Sequence, residues 1–454
     1  MEKDLRSFIA ELKNKGDVFN VNPEVDKRFE IPAIISSLED KRKYSTVYFP
    51  LIRNSEIPVV SNLLACRENI AIALNVDLKN LNREIMEREK KRLVPNIVSS
   101  GPVKEIVLLE EKIDLRRLPV ITHYEHDDGP CITSGLVLMK DPDKGLHNIA
   151  CYRLKMKNRN TLVAPIASSH HGYEIIEKAK KENSNIQVAV IIGHHPSFLL
   201  GAQSINDSGE DELERACSFY GENFEVTPCE TIDLNVPSRS EIAIEGTIDP
   251  YDQEAAGPFG EFEGLYGERT YCPIIRVSAI TMRKDAIYHE TVPGYSEHHI
   301  WSGLLRSTYL HRNLVKEGYE ISALDVTAWG FGNRVCILSV PRDERSRINN
   351  IIESVFNLAS KKDFLNYCIV VDDDVNIYDG FSVLRAMARA RLQPDKDMFA
   401  KSPTGKIDAK YGLDATWKSD PSSRVEIPRK ERIISKFIAA ARFQVPNGDE
   451  EFKT

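Results

Sequence analysis

The chain has 454 residues, 42% of them hydrophobic and 28% charged, with 60 Lys and Arg against 68 Asp and Glu for a formal charge of -8. These proportions belong to a folded protein of two or three domains and exclude an intrinsically disordered chain. Basic runs such as Lys178 to Lys181 are interleaved with acids, so no nucleic acid or membrane partner is expected, and no run reaches the roughly 18 apolar residues of a membrane span.

Leu5, Phe8, Ile9 and Leu12 recur at helical spacing near the start, which reads as an amphipathic helix rather than a signal peptide. A second helix is expected over Ile31 to Leu38, then short strands at Ser45 to Phe49 and Pro58 to Val60. Cys131 to Lys140 and His147 to Met156, separated by the turn residues Asp141 to Gly145, read as two adjacent strands. A helix over Tyr173 to Glu182, a strand over Ile186 to Ile192 and a short helix opened by Pro196 follow. Strands at Glu241 to Glu245, Ile274 to Met282 and Ala286 to Glu290 make the middle third strand-rich and suggest a barrel-like sheet. From about residue 300 helices and strands alternate (Trp301 to Val315, Ile321 to Thr327, Val335 to Val340, Arg347 to Ala359, Tyr367 to Val371), the pattern of a separate α/β domain. A last apolar stripe, Ile433, Ile434, Phe437, Ile438 and Ala441, calls for a partner surface and hence for an oligomer.

The eight cysteines show no CxxC spacing, which argues against structural zinc and disulfides and fits a reducing, cytoplasmic setting. "DDDVNIYDG" from Asp372 starts like a calcium loop, but Ile377 and Val383 stand where that loop needs Gly and Glu. His298 and His299 are expected on an extended segment, pointing to opposite sides.

Three places gather polar residues that a bare fold does not require. Asn148 and Arg153 lie five apart on one expected strand, so both reach one site only if that strand bulges or lies at the pocket edge. His170 and His171 precede a helix, and Glu210, Asp211, Glu212 and Glu214 cluster downstream. An Asn oxygen, a His nitrogen and a Glu carboxylate would suit an ion such as Mn²⁺, although acids also simply start helices. In "AAGPFGEFEG", Glu261 follows a Gly257-Pro258-Phe259-Gly260 turn that limits its freedom.

In order along the chain, "DLRSFIAEL", "DDGPCITSGLVLMKDPDKGLHNIACYRL", "SSHHG", "VAVIIGHHP", "VPSRSEIAIEG", "GPFGEFEG" and "YGLDATWK" resemble the UbiD-type decarboxylases, which use prenylated FMN. The resemblance implies a mixed α/β fold. Residues 1–115 would be an N-terminal α/β region, 116–305 a split β-barrel flavin domain, and 306–454 a C-terminal α/β domain ending in an oligomerisation helix. It implies that Asn148, His171 and Glu212 hold Mn²⁺, with K⁺ a further candidate cation, and that Lys410 meets the flavin phosphate. Ile149, Ala150, Cys151, Tyr152, Arg153 and His170 would line the flavin, Arg153 and Glu261 would be catalytic, and His298 and Trp301 would line the substrate pocket. The family's usual second glutamate, five residues before Glu261, is replaced by Ala256, with Glu254 nearby.

The expected function is reversible decarboxylation of an aromatic, heteroaromatic or α,β-unsaturated acid by a homodimer or homohexamer supplied by a flavin prenyltransferase. Alternatives are an accessory flavin-binding subunit without turnover, a decarboxylase of a small acyclic unsaturated acid, phosphorylated or not, and, on the Asn, His and Glu set alone, a metal hydrolase.

Overall fold

The structure is a computed structural model describing residues 3–168, 170–205, 209–221, 224–360, 364–390, 397–401 and 410–417. The expected apolar stripe at Ile433 to Ala441 lies outside these residues. The N-terminal region contains α1 (Leu5–Asn14), α2 (Glu30–Asp40), α3 (Arg67–Leu74), α4 (Leu81–Glu89), β1 (Val18–Asn20), β2 (Thr46–Phe49), β3 (Val59–Ser61), β4 (Asn96–Ile97) and β5 (Ile106–Leu109). Asp4 caps α1 by accepting from Ser7 N at 2.9 Å, and the helix buries Leu5, Phe8 and Leu12.

The middle region contains β6 (Cys131–Ile132), β7 (Leu136–Lys140), β8 (His147–Cys151), β9 (Leu154–Asn158), β10 (Thr161–Val163), α5 (His171–Glu182), β11 (Ile186–Ile192), α6 (Pro196–Gln203), α7 (Glu212–Tyr220), β12 (Glu225–Pro228), β13 (Asn235–Pro237), β14 (Ile242–Ala256), β15 (Thr270–Met282) and β16 (Tyr288–Glu290). Its main sheet runs β6-β9-β10-β15-β14-β11-β7-β8, with β5 also paired to β15. The sheet curls without closing, because its end strands β6 and β8 do not pair with each other.

Each of the two expected strands, Cys131 to Lys140 and His147 to Met156, is therefore broken in two. The chain leaves β6 at one end of the sheet and enters β7 near the other, crossing the seam at 133–135. It crosses back at Tyr152 and Arg153, between β8 and β9. Gly135 sits in the first crossing, where an added Cβ would fall 2.8 Å from Val190 Cγ1.

Helix α8 (Ser296–Lys316) leads into the C-terminal sheet, β17 (Ala323–Val326), β18 (Val335–Val340), β19 (Tyr367–Asp372), β20 (Met398–Lys401) and β21 (Lys410–Asp414), ordered β17-β18-β19-β21-β20. Helices α9 (Ile348–Ser360) and α10 (Gly380–Ala390) pack on it. Trp301, Leu304 and Leu305 of α8 pack with α1 and α3, whereas Tyr309, Leu310 and Leu314 belong to the C-terminal core. The division expected at 305/306 falls inside this helix. No helix among the described residues is long and apolar enough to cross a membrane, and all eight cysteines are thiols.

Glu241 ties the N-terminal region to the curled sheet. Fully buried, it accepts from Arg6 Nε at 2.9 Å, Arg283 Nη1 at 3.2 Å and Ile287 N at 2.9 Å, while Arg283 also meets Asp4 at 3.0 Å. Removing one partner from a buried ion cluster strands the other charge. Glu241→Ala should therefore cost about 3–5 kcal/mol in urea unfolding; a loss within experimental error would show the cluster to be dispensable.

Candidate active site

The seam forms one wall of a cavity of 370 Å³, lined there by Thr133, Cys151, Tyr152 and Arg153. Because β8 ends at Cys151, Asn148 stays in the ladder while Arg153 is released into the crossing, so the five-residue spacing no longer sets them on opposite faces. Ile149 and Ala150 remain paired with Leu138 and Val137. Tyr152 is buried and stacks on His170 at 5.5 Å between ring centroids. Gly172 allows that packing, since a Cβ there would lie 2.6 Å from the Tyr152 hydroxyl.

The acidic cluster divides its work. Asp211 caps α7 by accepting from Leu213 N and Glu214 N, both at 3.0 Å, and holds His147 Nδ1 at 2.8 Å. Glu212, the next residue, turns to β8 instead. Its Oε2 accepts from Asn148 Nδ2 at 2.6 Å and Ile149 N at 2.8 Å, and its Oε1 faces His171 Nδ1 at 3.0 Å. Asn148 Oδ1 is buried with no hydrogen-bond partner. An orphaned amide oxygen is costly, and beside a carboxylate and an imidazole it completes a donor set suited to a borderline-hard divalent cation. The residues present thus fit a Mn²⁺ ion.

In the cavity, Arg153 Nη1 donates to Glu261 Oε1 at 3.3 Å, Arg153 Nη2 donates to Gly260 O at 2.8 Å, and its guanidinium lies over the Phe259 ring at 5.3 Å. The turn carrying Glu261 is fastened by two acids that sequence reasoning left without a role. Asp127 Oδ1 accepts from Gly260 N at 2.8 Å, and Asp128 Oδ2 accepts from Gly257 N at 3.1 Å. Their signal was the pair of acids ahead of Gly129-Pro130, far in sequence from the turn they hold. Ala256 is buried in an apolar cluster with Cys131, Val163, Phe259 and Cys272, and Glu254 is ion-paired with Lys157 and does not line the cavity.

Helix α8 supplies the facing wall. His298 and His299 are helical, not extended, because the helix starts at Ser296; their rings stack at 6.1 Å rather than pointing apart. His298 and Trp301 line the cavity and stack at 5.6 Å, while His299 Nε2 meets Phe262 O at 2.8 Å. Burial, with His299, Arg306 and Arg153 adding to it, pushes the His298 imidazole down to about 3, so it is neutral at any working pH. The same wall carries Arg306, absent from the sequence reading, which shares a helical face with His298 and Ser302. Lys410 is not brought to this cavity: on β21 it donates to Ser360 Oγ at 2.6 Å and lies over Phe356.

Three family models match the chain, described as the N-terminal, Rift-related and C-terminal domains of 3-octaprenyl-4-hydroxybenzoate carboxy-lyase (UbiD), over residues 9–89, 96–296 and 299–410. HmfF from Pelotomaculum thermopropionicum, a UbiD-class enzyme solved in an evolved dimeric form with prFMN, superposes with a TM-score of 0.88 at 30% identity, covering 95% of this chain and 98% of that one. The vanillic acid decarboxylase of Sedimentibacter hydroxybenzoicus, in an open form, gives 0.85 at 25% identity over 97% of this chain and 100% of that one. An uncharacterized protein of Synechocystis sp. is 26% identical over 93% of this chain and 91% of its own length.

Gly260 has no room for a side chain, since a Cβ would lie 2.2 Å from Tyr124 Cδ2. Gly260→Ala must shift the turn, and displacing a reacting group by an ångström can cost about 100-fold in rate. The variant should fold, judged by circular dichroism, yet lose activity on that scale; full activity would mean that the placement of Glu261 is not critical.

Proposed function

The chain belongs to the UbiD family of carboxy-lyases, and from that premise we propose that it reversibly decarboxylates an aromatic, heteroaromatic or α,β-unsaturated carboxylic acid with prenylated FMN and Mn²⁺ bound. The observation that carries this reading is the Arg153–Glu261 pair on the cavity wall, together with the Asn148, His171 and Glu212 group in a recess between β8, α5 and α7. Asn148, His171 and Glu212 would hold the ion, and the ion would grip the flavin phosphate. HmfF, solved with prFMN and with FMN, supports the choice of cofactor. Assembly as a homodimer or homohexamer and supply by a flavin prenyltransferase belong to the same proposal.

When bound, the modified flavin supplies the electron sink for cleavage of the carbon–carboxylate bond. The protein's own residues do the rest. Arg153 keeps three of its five N–H donors beyond those given to Glu261 and Gly260, and they orient the substrate carboxylate. CO₂ leaves the substrate carbon without the bonding electron pair, and that pair ends in the new C–H bond. Glu261 delivers a proton to that carbon, forming the C–H bond, and is reprotonated from water. In the reverse direction the same carboxylate removes the proton. Trp301 and Phe262 cover the cavity with apolar surface, which strengthens each charged contact inside it.

A second reading, an accessory flavin-binding subunit without turnover, is favoured by Ala256, which puts a residue in apolar surroundings where the family usually has its second glutamate. Solvent deuterium exchange into a carboxylic acid's decarboxylated product separates the two.

Two outcomes test the proposal. Glu261→Gln keeps the shape but carries no acidic proton, so it should retain flavin and Mn²⁺ while decarboxylation and deuterium exchange fall by roughly 10²- to 10⁴-fold; wild-type rates would place the proton source elsewhere. His171→Ala and Glu212→Ala should fold but purify with little flavin and little manganese, measured by absorbance after denaturation and by metal analysis. Full flavin occupancy in both would sink the metal assignment.

A further inference from the structure

Arg306 is a buried cation that the proposed chemistry does not use. It sits on α8 two turns after His298, enclosed by protein, with its remaining exposure toward the cavity. Among the described residues its contacts are Gly332 O at 3.4 Å, long for a hydrogen bond, and the Phe364 ring at 5.6 Å. No carboxylate pairs with it there. The charge that bears on it is Arg334, of the same sign and itself tied to Glu263. Burial and Arg334 together push the guanidinium down to about 10, still protonated at neutral pH.

A guanidinium in such a place is stabilised only when something else supplies the counter-charge. Arg153, on the seam wall, is already matched by Glu261. With that pair ionised the seam wall is close to neutral, while among the described residues the α8 wall carries an unmatched positive charge flanked by the neutral His298 and by Ser302. The phosphate of a bound flavin would have its own cation at Asn148, His171 and Glu212, which line a separate recess between β8, α5 and α7 that does not include Arg306.

We propose that Arg306 binds a second anionic group of the substrate, a carboxylate or a phosphate ester, at the end of the molecule away from the carboxylate that is lost. This deepens the reaction proposed above and rests on it for the identity of that first carboxylate. The planar fork of Arg306 pairs two oxygens of either anion. Binding energy gathered at this remote end holds the reacting carbon against Arg153 and Glu261 without touching it. The substrate is on this account a dianion or trianion, and acids with one carboxylate and no other charge are poor ligands.

The test uses the flavin-loaded holoenzyme and measures binding separately from turnover. Calorimetric titrations compare benzoate with benzene-1,4-dicarboxylate and 4-phosphonooxybenzoate, and but-2-enoate with its 4-carboxy and 4-phosphonooxy derivatives. In at least one series the doubly anionic acid should bind at least about 100-fold more tightly than the single acid. Whether the carboxylate or the phosphate ester gains more identifies the anion. Arg306→Gln should remove that gain, raise KM far more than it lowers kcat for any acid turned over, and keep full flavin occupancy; Arg306→Lys should restore part of it. Equal affinity for single and double acids in both series would overturn the proposal, as would an Arg306→Gln protein that loses its flavin, because Arg306 would then serve the cofactor. Selective binding of the double acids with no turnover of any acid would support Arg306 as an anion site and count against the decarboxylase reading alone.

Discussion

A sheet that curls but does not close leaves the chain to cross an open seam twice, and the site is built on those crossings. Residues 133–135 and 152–153 connect strands that lie at opposite ends of the sheet, so they cannot take part in a regular ladder. Backbone released from a ladder needs other partners or an opening to water or ligand. Thr133, Tyr152 and Arg153 meet that requirement by lining the cavity, and Cys151 Sγ donates across the seam to Thr133 O at 3.1 Å. The geometry that prevents barrel closure is what frees an arginine from strand alternation and points chemistry inward.

Charge is distributed around this opening in an order that suits anionic ligands. Glu212 is surrounded by partners from two elements, Asn148 Nδ2 and Ile149 N of β8 and His171 Nδ1 of α5, all within 3.0 Å. Arg153 and Glu261 neutralise each other, His298 is held neutral by burial, and Arg306 is left positive. A chain with a formal charge of -8 thus presents a locally positive interior wall. Focusing of that kind attracts small anions through local charge, independent of the net charge of the protein.

Much of this was legible in the sequence. The stripe Leu5, Phe8, Leu12, the strand at Ile186 to Ile192 and the helix after His170 are local patterns that burial enforces. The seam was not legible, because "CITSGLVLMK" and "IACYRLKMK" keep strand-like residues on both sides of each break, and only the curl of the whole sheet decides where the ladder stops. The start of α8 was hidden for a different reason. Tyr295 gives no side-chain cap, and Glu297 in the first turn serves Asn62 N at 2.9 Å and Leu64 N at 3.1 Å instead of its own helix. Arg306 carries no local signal at all, since a lone arginine on a helix reads as a solvated face until its surroundings are known. Lys410 shows the converse: a motif in register places the residue on β21, and the contacts seen there lead to α9.

The substitution of Ala256 changes what controls Glu261. A carboxylate at 256 would enter the cluster of Cys131, Val163, Phe259 and Cys272, where the side chains offer only weak thiol donors, so the apolar residue suits the strand end that leads into the turn. Glu254, on the same strand, is drawn to Lys157 and away from the cavity. What remains to govern the acid is position. Asp127 and Asp128 fix the turn at its last and first glycines, Tyr124 fills the space beside Gly260, and the Tyr124 hydroxyl donates to Pro293 O, next to the start of α8. Arg153 then meets both the backbone oxygen of Gly260 and the carboxylate of Glu261. The turn that carries Glu261 is thereby fastened to the seam on one side and, through Tyr124, to the chain just ahead of α8 on the other, so the position of this carboxylate is set from both walls of the cavity at once.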